Sequence, residues 1–250
     1  MNDLTQRQIE ILQAIINEYT ERGEPVGSEV LEKKYKLGIS PATVRNEMVV
    51  LAKRGYLKKT HFSSGRVPSA KAFRFYIQHL MKRKELSTFD EVAYKNSVWD
   101  ERDNINRLLL HATRVLAHRT GLLSVAINSF GDVYYAGMGN IFSKTELCNI
   151  EISRNIFYLI DEANFWNNIL KQFTIDGDTV VYMLGEEDFQ NPFLELCASI
   201  FGQFSSNSIR GAIGLIGPKR MSYDVIVPQV EHLSRLIQEI IREREQKAIS

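Results

Sequence analysis

The first eighty positions hold four runs in which apolar residues recur at steps of three and four, the pattern of amphipathic helices, and turn signals separate them. In the first run Leu12, Ile15, Ile16 and Tyr19 share a face. Thr5 can cap this helix, Gln8 three residues on completes a capping box, and Leu4 can staple onto Ile9. Gly23-Glu24-Pro25 stops it. Ser28 opens a second helix with Val30, Leu31 and Tyr35 as its apolar positions. Lys36-Leu37-Gly38-Ile39 then turns the chain, with a glycine where left-handed backbone is cheap. Ser40-Pro41 supplies a capping hydroxyl and a proline at the first helical position of a third helix. Its buried stripe is narrow (Val44, Met48, Leu51), and the opposite face presents Ala42, Asn46, Val49 and Lys53, with Thr43, Arg45 and Val50 at the edges. A strand over residues 55–59, a turn at Phe62-Ser63-Ser64-Gly65 and a return strand Arg66-Val67-Pro68 form a hairpin. Ser69 caps a fourth helix whose Phe73, Tyr76, Ile77 and Leu80 make a core stripe, with Lys71, Arg74, Gln78 and Lys82 on its far side.

Beyond residue 84 the pattern changes. Residues 101–119 read as a helix with a broad apolar face (Ile105, Leu108, Leu109, Ala112, Val115, Leu116). Residues 122–127 and 132–135 read as strands about a turn at Phe130-Gly131, residues 156–173 as one helix, residues 178–184 and 211–216 as buried strands, and residues 227–244 as a last helix. The expected class is α+β: an N-terminal winged helix-turn-helix over residues 1–84, then a mixed α/β domain over residues 85–250. Two stripes, Val230/Leu233/Ile237/Ile240 and Ile105/Leu108/Ala112/Val115, have coiled-coil spacing and can serve either a dimer seam or their own domain's sheet; over so few heptads the sheet is the favoured use.

Charge sharpens this division. The net value of +1 conceals 16 Lys and Arg against 8 Asp and Glu in residues 1–84, a balance of +8, and 15 against 22 in residues 85–250, a balance of −7. Residues 48–84 carry ten basic side chains and no acid. Such a half suits a polyanion. Two cysteines in 250 residues fit a reducing compartment and exclude a cysteine-rich zinc module. No apolar run approaches the ~18 residues of a membrane span, and the start is too polar for a signal peptide, so a cytoplasmic chain with no membrane partner is expected.

Groove chemistry assigns roles to the basic half. Asn pairs with adenine, Arg with guanine, and Thr or Ala methyls touch thymine. Asn46 and Arg45 are the base-reading candidates, with Thr43 and Ala42 beside them. Ser40 and Thr43 can instead hold a phosphate at the helix N-terminus. Lys53, Lys58, Lys59, His61, Ser64 and Arg66 are expected on the backbone or in the minor groove. The plainer reading pairs Arg45 with Glu47 or Glu29 and leaves the hairpin lysines solvated.

Catalytic and cofactor chemistry is not encoded in a recognisable form. Glycines 211, 214 and 217 match neither a dinucleotide fingerprint nor a P-loop and read as tight packing within an apolar strand. His111 and His118 lie seven apart, too far for one ion without a third ligand between them; Cys148 and Cys197 lack a CxxC partner and read as buried thiols; Asp161-Glu162 and Glu186-Glu187-Asp188 read as solvated loops. Lys219 and Arg220 read as a structural corner pairing with acids rather than an anion site. No enzyme, cofactor or metal is expected.

The stretches Leu4-Thr5-Gln6-Arg7-Gln8, Gly23-Glu24-Pro25-Val26-Gly27-Ser28, Ile39-Ser40-Pro41-Ala42-Thr43-Val44-Arg45-Asn46-Glu47-Met48, Gly55-Tyr56-Leu57 and Ser64-Gly65-Arg66-Val67-Pro68 resemble the HrcA family, the bacterial heat-inducible transcription repressors. Gly217-Pro218-Lys219-Arg220-Met221-Ser222-Tyr223 and Gly137-Met138-Gly139-Asn140-Ile141-Phe142 extend the resemblance, which covers residues 4–84 and 135–240. It implies a dimer that binds an inverted-repeat operator upstream of chaperone operons and is released on heating. It also implies a GAF-like C-terminal regulatory domain and help from a GroE-type chaperonin. Family members carry an inserted dimerising domain; between Gly121 and the Gly137 motif there is room for a strand or two, so the insert is expected to be absent or a remnant. Two other readings keep the winged helix. In one the acidic half senses a small molecule, and a cavity with convergent polar groups would mark it. In the other the winged helix docks a protein, and salt-sensitive, sequence-discriminating duplex binding would exclude it.

Overall fold

The computed structural model describes residues 4–59, 65–176 and 179–249. They divide into two compact units, one of Met1–Lys82 with Arg220–Ser222, the other of Arg83–Lys219 with Tyr223–Ser250.

The first unit holds α1 (Gln6–Arg22), α2 (Ser28–Tyr35), α3 (Pro41–Lys53), β1 (Leu57–Lys59), β2 (Arg66–Pro68) and α4 (Ala70–Phe75). The capping box at Thr5 and Gln8 is formed in both directions, and Gly23 ends α1 in the left-handed conformation at φ 73°. The turn between α2 and α3 takes positive φ at Lys36 and at Gly38. Ile11, Leu12, Ile15, Leu31, Val44, Leu51 and Phe73 form the buried centre. Glu18 of α1 is buried among cations and a phenol: Lys34 Nζ at 2.8 Å, Arg22 Nε at 2.6 Å and the Tyr35 hydroxyl at 3.2 Å. Burial opposes its charge, but Lys34 foremost outweighs burial and holds the carboxyl below its usual range.

Two expectations here fail locally. Val30 is exposed, because an eight-residue helix buries only a narrow stripe and Leu31 occupies it. The fourth helix ends at Phe75 and continues as a π-helical turn, Tyr76–Leu80, closed by Met81 N–H to the Tyr76 carbonyl. The wider turn slips the apolar stripe, so Phe73 is buried while Tyr76, Ile77 and Leu80 are half-buried.

In the second unit α5 (Thr88–Trp99) and α6 (Ile105–Thr120) lead into a five-stranded antiparallel sheet of order β4-β3-β7-β6-β5, made by β3 (Leu123–Asn128), β4 (Val133–Ala136), β5 (Val180–Leu184), β6 (Cys197–Ser205) and β7 (Arg210–Pro218). On one face Leu123, Val125, Ile127, Val181, Met183, Phe201 and Ile216 bury against α7 (Ile150–Asp161) and α8 (Ala163–Asp176), with Trp166 set edge-on to Phe201. A short α9 (Glu186–Phe189) follows β5, and the other face of the sheet is covered by α6 and by α10 (Tyr223–Ile249). The whole is a mixed α/β chain. β3 passes to β4 through Ser129–Asp132 alone, so no inserted domain stands between them.

Three expectations are corrected, and the favoured use of the two apolar stripes is met. Residues 156–173 are not one helix: Glu162 takes extended backbone between α7 and α8. The 3.6-residue rhythm misses that break because both helices bury the same side of the sheet. β6 and α5 are additional elements. Cys197 is buried as expected, its thiol pushed up to about 12 by burial, but Cys148 is exposed. The Val230/Leu233/Ile237/Ile240 stripe is buried within the unit, and so are Leu108 and Ala112, with Ile105 and Val115 half-buried; the sheet takes both stripes rather than a dimer seam.

Gly211 and Gly214 sit inside β7, where a Cβ would fall 2.2 Å from the Phe204 ring and 1.9 Å from the Ile200 carbonyl oxygen respectively. Their glycine is a packing requirement. Lys219 is buried beyond the strand, and its Nζ donates to the Glu195 carbonyl at 2.9 Å, a structural corner built on a carbonyl.

Candidate nucleic-acid interface

The first unit brings most of the predicted site residues onto α3 and the hairpin that follows it. Ser40 caps α3: its Oγ accepts from Thr43 N–H at 3.2 Å and lies 3.0 Å from Thr43 Oγ1. Two hydroxyls therefore stand at a helix N-terminus that carries partial positive charge. Val44, Met48 and Leu51 are buried, and at about 100° per residue their stripe turns Ala42, Arg45, Asn46, Val49 and Lys53 outward; all five are exposed, with Thr43 and Val50 half-buried at the edge.

No acid of α3 stands on the outward face. Glu47, next to Asn46 in sequence, lies toward the buried flank, where its Oε2 accepts from Gln8 Nε2 at 2.9 Å and its Oε1 lies 4.0 Å from Arg7. Among the described residues Arg45 has no carboxylate partner, neither Glu47 nor Glu29. The plain ion-pair reading of Arg45 is therefore displaced, and its guanidinium faces solvent.

β1 and β2 pair antiparallel, Leu57 opposite Pro68, Lys58 opposite Val67 and Lys59 opposite Arg66. Val26 and Arg66 exchange both main-chain hydrogen bonds, at 2.9 and 3.0 Å, which ties the hairpin to the segment after α1. Leu57 points into the unit; Lys58 and Lys59 are exposed. Arg66 is half-buried and donates through Nη1 to the Gly65 carbonyl at 3.2 Å, so much of its reach is spent at home. His61 and Ser64 lie outside the described residues. Lys71, by contrast, is a structural lysine: its Nζ donates to the Arg54 carbonyl at 2.9 Å and sits 4.4 Å from the Tyr56 ring centroid.

One buried polar residue beside the outward face was legible in sequence only as a cap. Gln8 is 6% exposed, and its side-chain amide spans two elements. Its Oε1 accepts from Thr5 N–H at 3.1 Å and from Arg54 Nη1 at 3.3 Å, while its Nε2 holds Glu47. The signal available was the seven-residue spacing of an acid and an arginine, Glu47 and Arg54, along one flank of the third helix.

Among the described residues no group of His, Cys, Asp and Glu could hold a metal ion, and no helix is long and apolar enough to cross a membrane.

The model of the HrcA protein C-terminal domain matches residues 40–227. The heat-inducible transcription repressor HrcA of Clostridium tetani is 36% identical over 179 residues, covering 70% of this chain and 49% of that protein, so the chain spans about half the length of that relative. The protein of the same name from Desulforamulus reducens is 25% identical over 333 residues, covering 93% of this chain and 95% of that protein. Those 333 residues exceed the 250 here, so this relative carries segments the chain lacks. A crystal structure at 2.2 Å of a protein described as hypothetical superposes with a TM-score of 0.81 at 18% identity, covering 97% of this chain and all of that one; it establishes a shared fold. With three-quarters of its length inside the family match, the chain belongs to the HrcA family.

Proposed function

We propose that this chain is a transcription repressor of heat-inducible genes, which binds duplex DNA through a winged helix-turn-helix over residues 1–84 and is regulated through a GAF-like domain over residues 85–250. The observation that carries the reading is α3: a helix buried on one narrow stripe, whose outward face shows an amide, a guanidinium, a lysine and small groups with no acid among them. That face suits a major groove, whose edges offer acceptors to Arg and a donor-acceptor pair to Asn. Ser40 and Thr43 at the helix N-terminus then meet phosphate, with Lys53, Lys58 and Lys59 on the flanking backbone. His61, Ser64 and Arg66 are assigned to the same duplex.

One such helix reads a short half-site, so two copies related by a dyad reading an inverted repeat is the economical arrangement. Release on heating needs no ligand. Domains are stable by only about 5–15 kcal/mol, and a unit whose folding and pairing are coupled loses two-site binding when it melts. The small-molecule alternative stays second because the repressor reading needs no ligand, although the second unit has room for one. The cavity beside the sheet, lined by Ile127, Asn128, Asp132, Val133, Ile160 and Trp166 among others, holds about 120 Å³. A cavity lined by Lys84, Glu85, Asp90, Arg119 and Gln229 among others holds about 310 Å³, at the lower end of the ~300 Å³ and more typical of ligand pockets. Assistance from a GroE-type chaperonin in reaching the active state is part of the same proposal.

Purified protein should shift the duplex upstream of its host's own chaperone operons at moderate temperature and lose the shift after heating through the melting transition seen by circular dichroism. Full binding retained after that transition would falsify the heat mechanism. Equal affinity for a scrambled duplex would remove the repressor reading.

A further inference from the structure

Apolar packing along Val44, Met48 and Leu51 sets which side of α3 faces its unit, but a roll of a few tens of degrees keeps all three buried, since the hydrophobic effect has no direction. Rotation matters for a reading helix. At ~6 Å from the axis, a roll of about 20° carries a side-chain atom about 2 Å, more than a hydrogen bond tolerates.

We infer that Gln8, Glu47 and Arg54 form a clasp that sets the rotation of α3 and thereby its base selectivity, with Gln8 a positioning residue that touches no DNA. This rests on the DNA-binding reading above and deepens it. Residues 47 and 54 are seven apart, so they lie within about 20° of each other around the helix and ~10 Å apart along it. A carboxylate at one end and a guanidinium at the other present opposite hydrogen-bonding characters. The Gln8 amide satisfies both at once, Nε2 donating to Glu47 Oε2 at 2.9 Å and Oε1 accepting from Arg54 Nη1 at 3.3 Å. The reverse orientation of the amide would set oxygen against carboxylate and N–H against guanidinium. Gln8 is itself held by the first turn of α1, where its Oε1 also accepts from Thr5 N–H and its own N–H donates to Thr5 Oγ1 at 3.3 Å. The cap of one helix is thus tied to the flank of another, just beside Asn46 on the reading face. At 6% exposure the amide is screened from competing water.

The clasp can be broken and remade without losing the cap, since glutamate serves at the third position of a capping box as well as glutamine. Gln8→Glu places two carboxylates face to face. Glu47→Gln alone keeps an acceptor for Gln8 Nε2. The double variant restores the pair with donor and acceptor exchanged, and restores net charge. A duplex is first selected from a random-sequence library by the wild-type chain, then its affinity and that of a scrambled duplex are measured for each variant by fluorescence anisotropy.

The expected result is a roughly tenfold or greater fall in the selected-to-scrambled ratio for Gln8→Glu, the scale of one misplaced base contact. Glu47→Gln should retain the ratio and the double variant should recover it. The ratio separates positioning from general stability, because a merely structural role moves the melting temperature and both affinities together. An unchanged ratio in Gln8→Glu overturns the clasp, as does a folded double variant that keeps the defect. A wild-type chain that selects no sequence overturns the DNA reading itself, a different failure that shows before any variant is made.

Discussion

Replacing Asn46 and Lys53 by alanine, one at a time, separates sequence reading from backbone attraction on a single helix. Both side chains are exposed on the outward face of α3, seven residues and so ~10 Å apart along its axis. Asn46 lies in the half of the helix nearer the Ser40 cap, where a bidentate hydrogen-bond pair to adenine is within reach. Removing such a pair costs about 1–3 kcal/mol, and an inverted repeat presents it twice, giving ~2–6 kcal/mol for the selected duplex. Affinity for scrambled DNA should stay nearly constant, because an amide neutralises no phosphate. Lys53 should behave oppositely. Its removal should weaken both duplexes alike and reduce the slope of log affinity against log salt by ~0.9 for each phosphate it had neutralised. The assay is anisotropy on the two duplexes across a salt series. Asn46→Ala that weakens both duplexes equally, or Lys53→Ala that leaves the salt slope intact, would refute the placement of this face in a groove.

Three further outcomes follow from packing and charge. Gly214→Ala forces a Cβ to within 1.9 Å of the Ile200 carbonyl in the middle of the sheet, where backbone must yield; urea unfolding should show a destabilisation at or above the ~1–3 kcal/mol usual for overpacking, and one well below that would mean the strands can part at little cost. Leu51→Ala, at a fully buried position of α3, should cost ~2–5 kcal/mol and lower the melting temperature of the first unit, with the outward face chemically unchanged. Glu245 of α10 grips the β6–β7 turn, accepting from both the hydroxyl and the N–H of Ser208, from the Ser206 hydroxyl and from Asn207 N–H, and these hydrogen bonds, Ser208 first, bring its carboxyl down to about 2. A carboxyl lowered in the folded state stabilises fully above its unfolded value of ~4.3 and loses that contribution as pH falls toward 2, so the difference in melting temperature between wild type and Glu245→Gln should shrink across that window; a constant difference refutes the grip.

Local signals carried the first unit far. Thr5, Gln8, Gly23, Ser40 and Pro41 act within one turn of themselves, and each caps or stops a helix as its chemistry demands. The glycines of residues 211–217 were legible for a similar reason: their spacing excludes a phosphate loop, and the structure fills the space where the side chains of Gly211 and Gly214 would be. What failed to show depends on partners distant in sequence. β6 is apolar on both faces because α10 covers one and α7 with α8 the other, and a strand without alternation looks like any buried segment. The break at Glu162 is invisible for a related reason, since two helices lying on one sheet face keep a single rhythm across their junction.

The outward face of α3 was legible because it is defined by what it lacks. Three buried positions place α3 against its unit, and the remaining positions then face outward whatever the rest of the fold does. The partners of charged groups near that face were not legible. Arg45 had two acids within plausible reach, and only the packing of α1 decides that Glu47 turns to Gln8, 39 residues earlier, leaving the guanidinium to solvent. Gln8 shows the same limit from the other side: one residue satisfies a local rule, the capping box, and a long-range one, the bridge to Glu47 and Arg54. The local rule fully accounts for its presence in sequence and so conceals the second role. Because glutamate would meet the local rule equally well, the choice of an amide at position 8 is the feature that the capping box leaves unexplained and the Glu47 carboxylate accounts for.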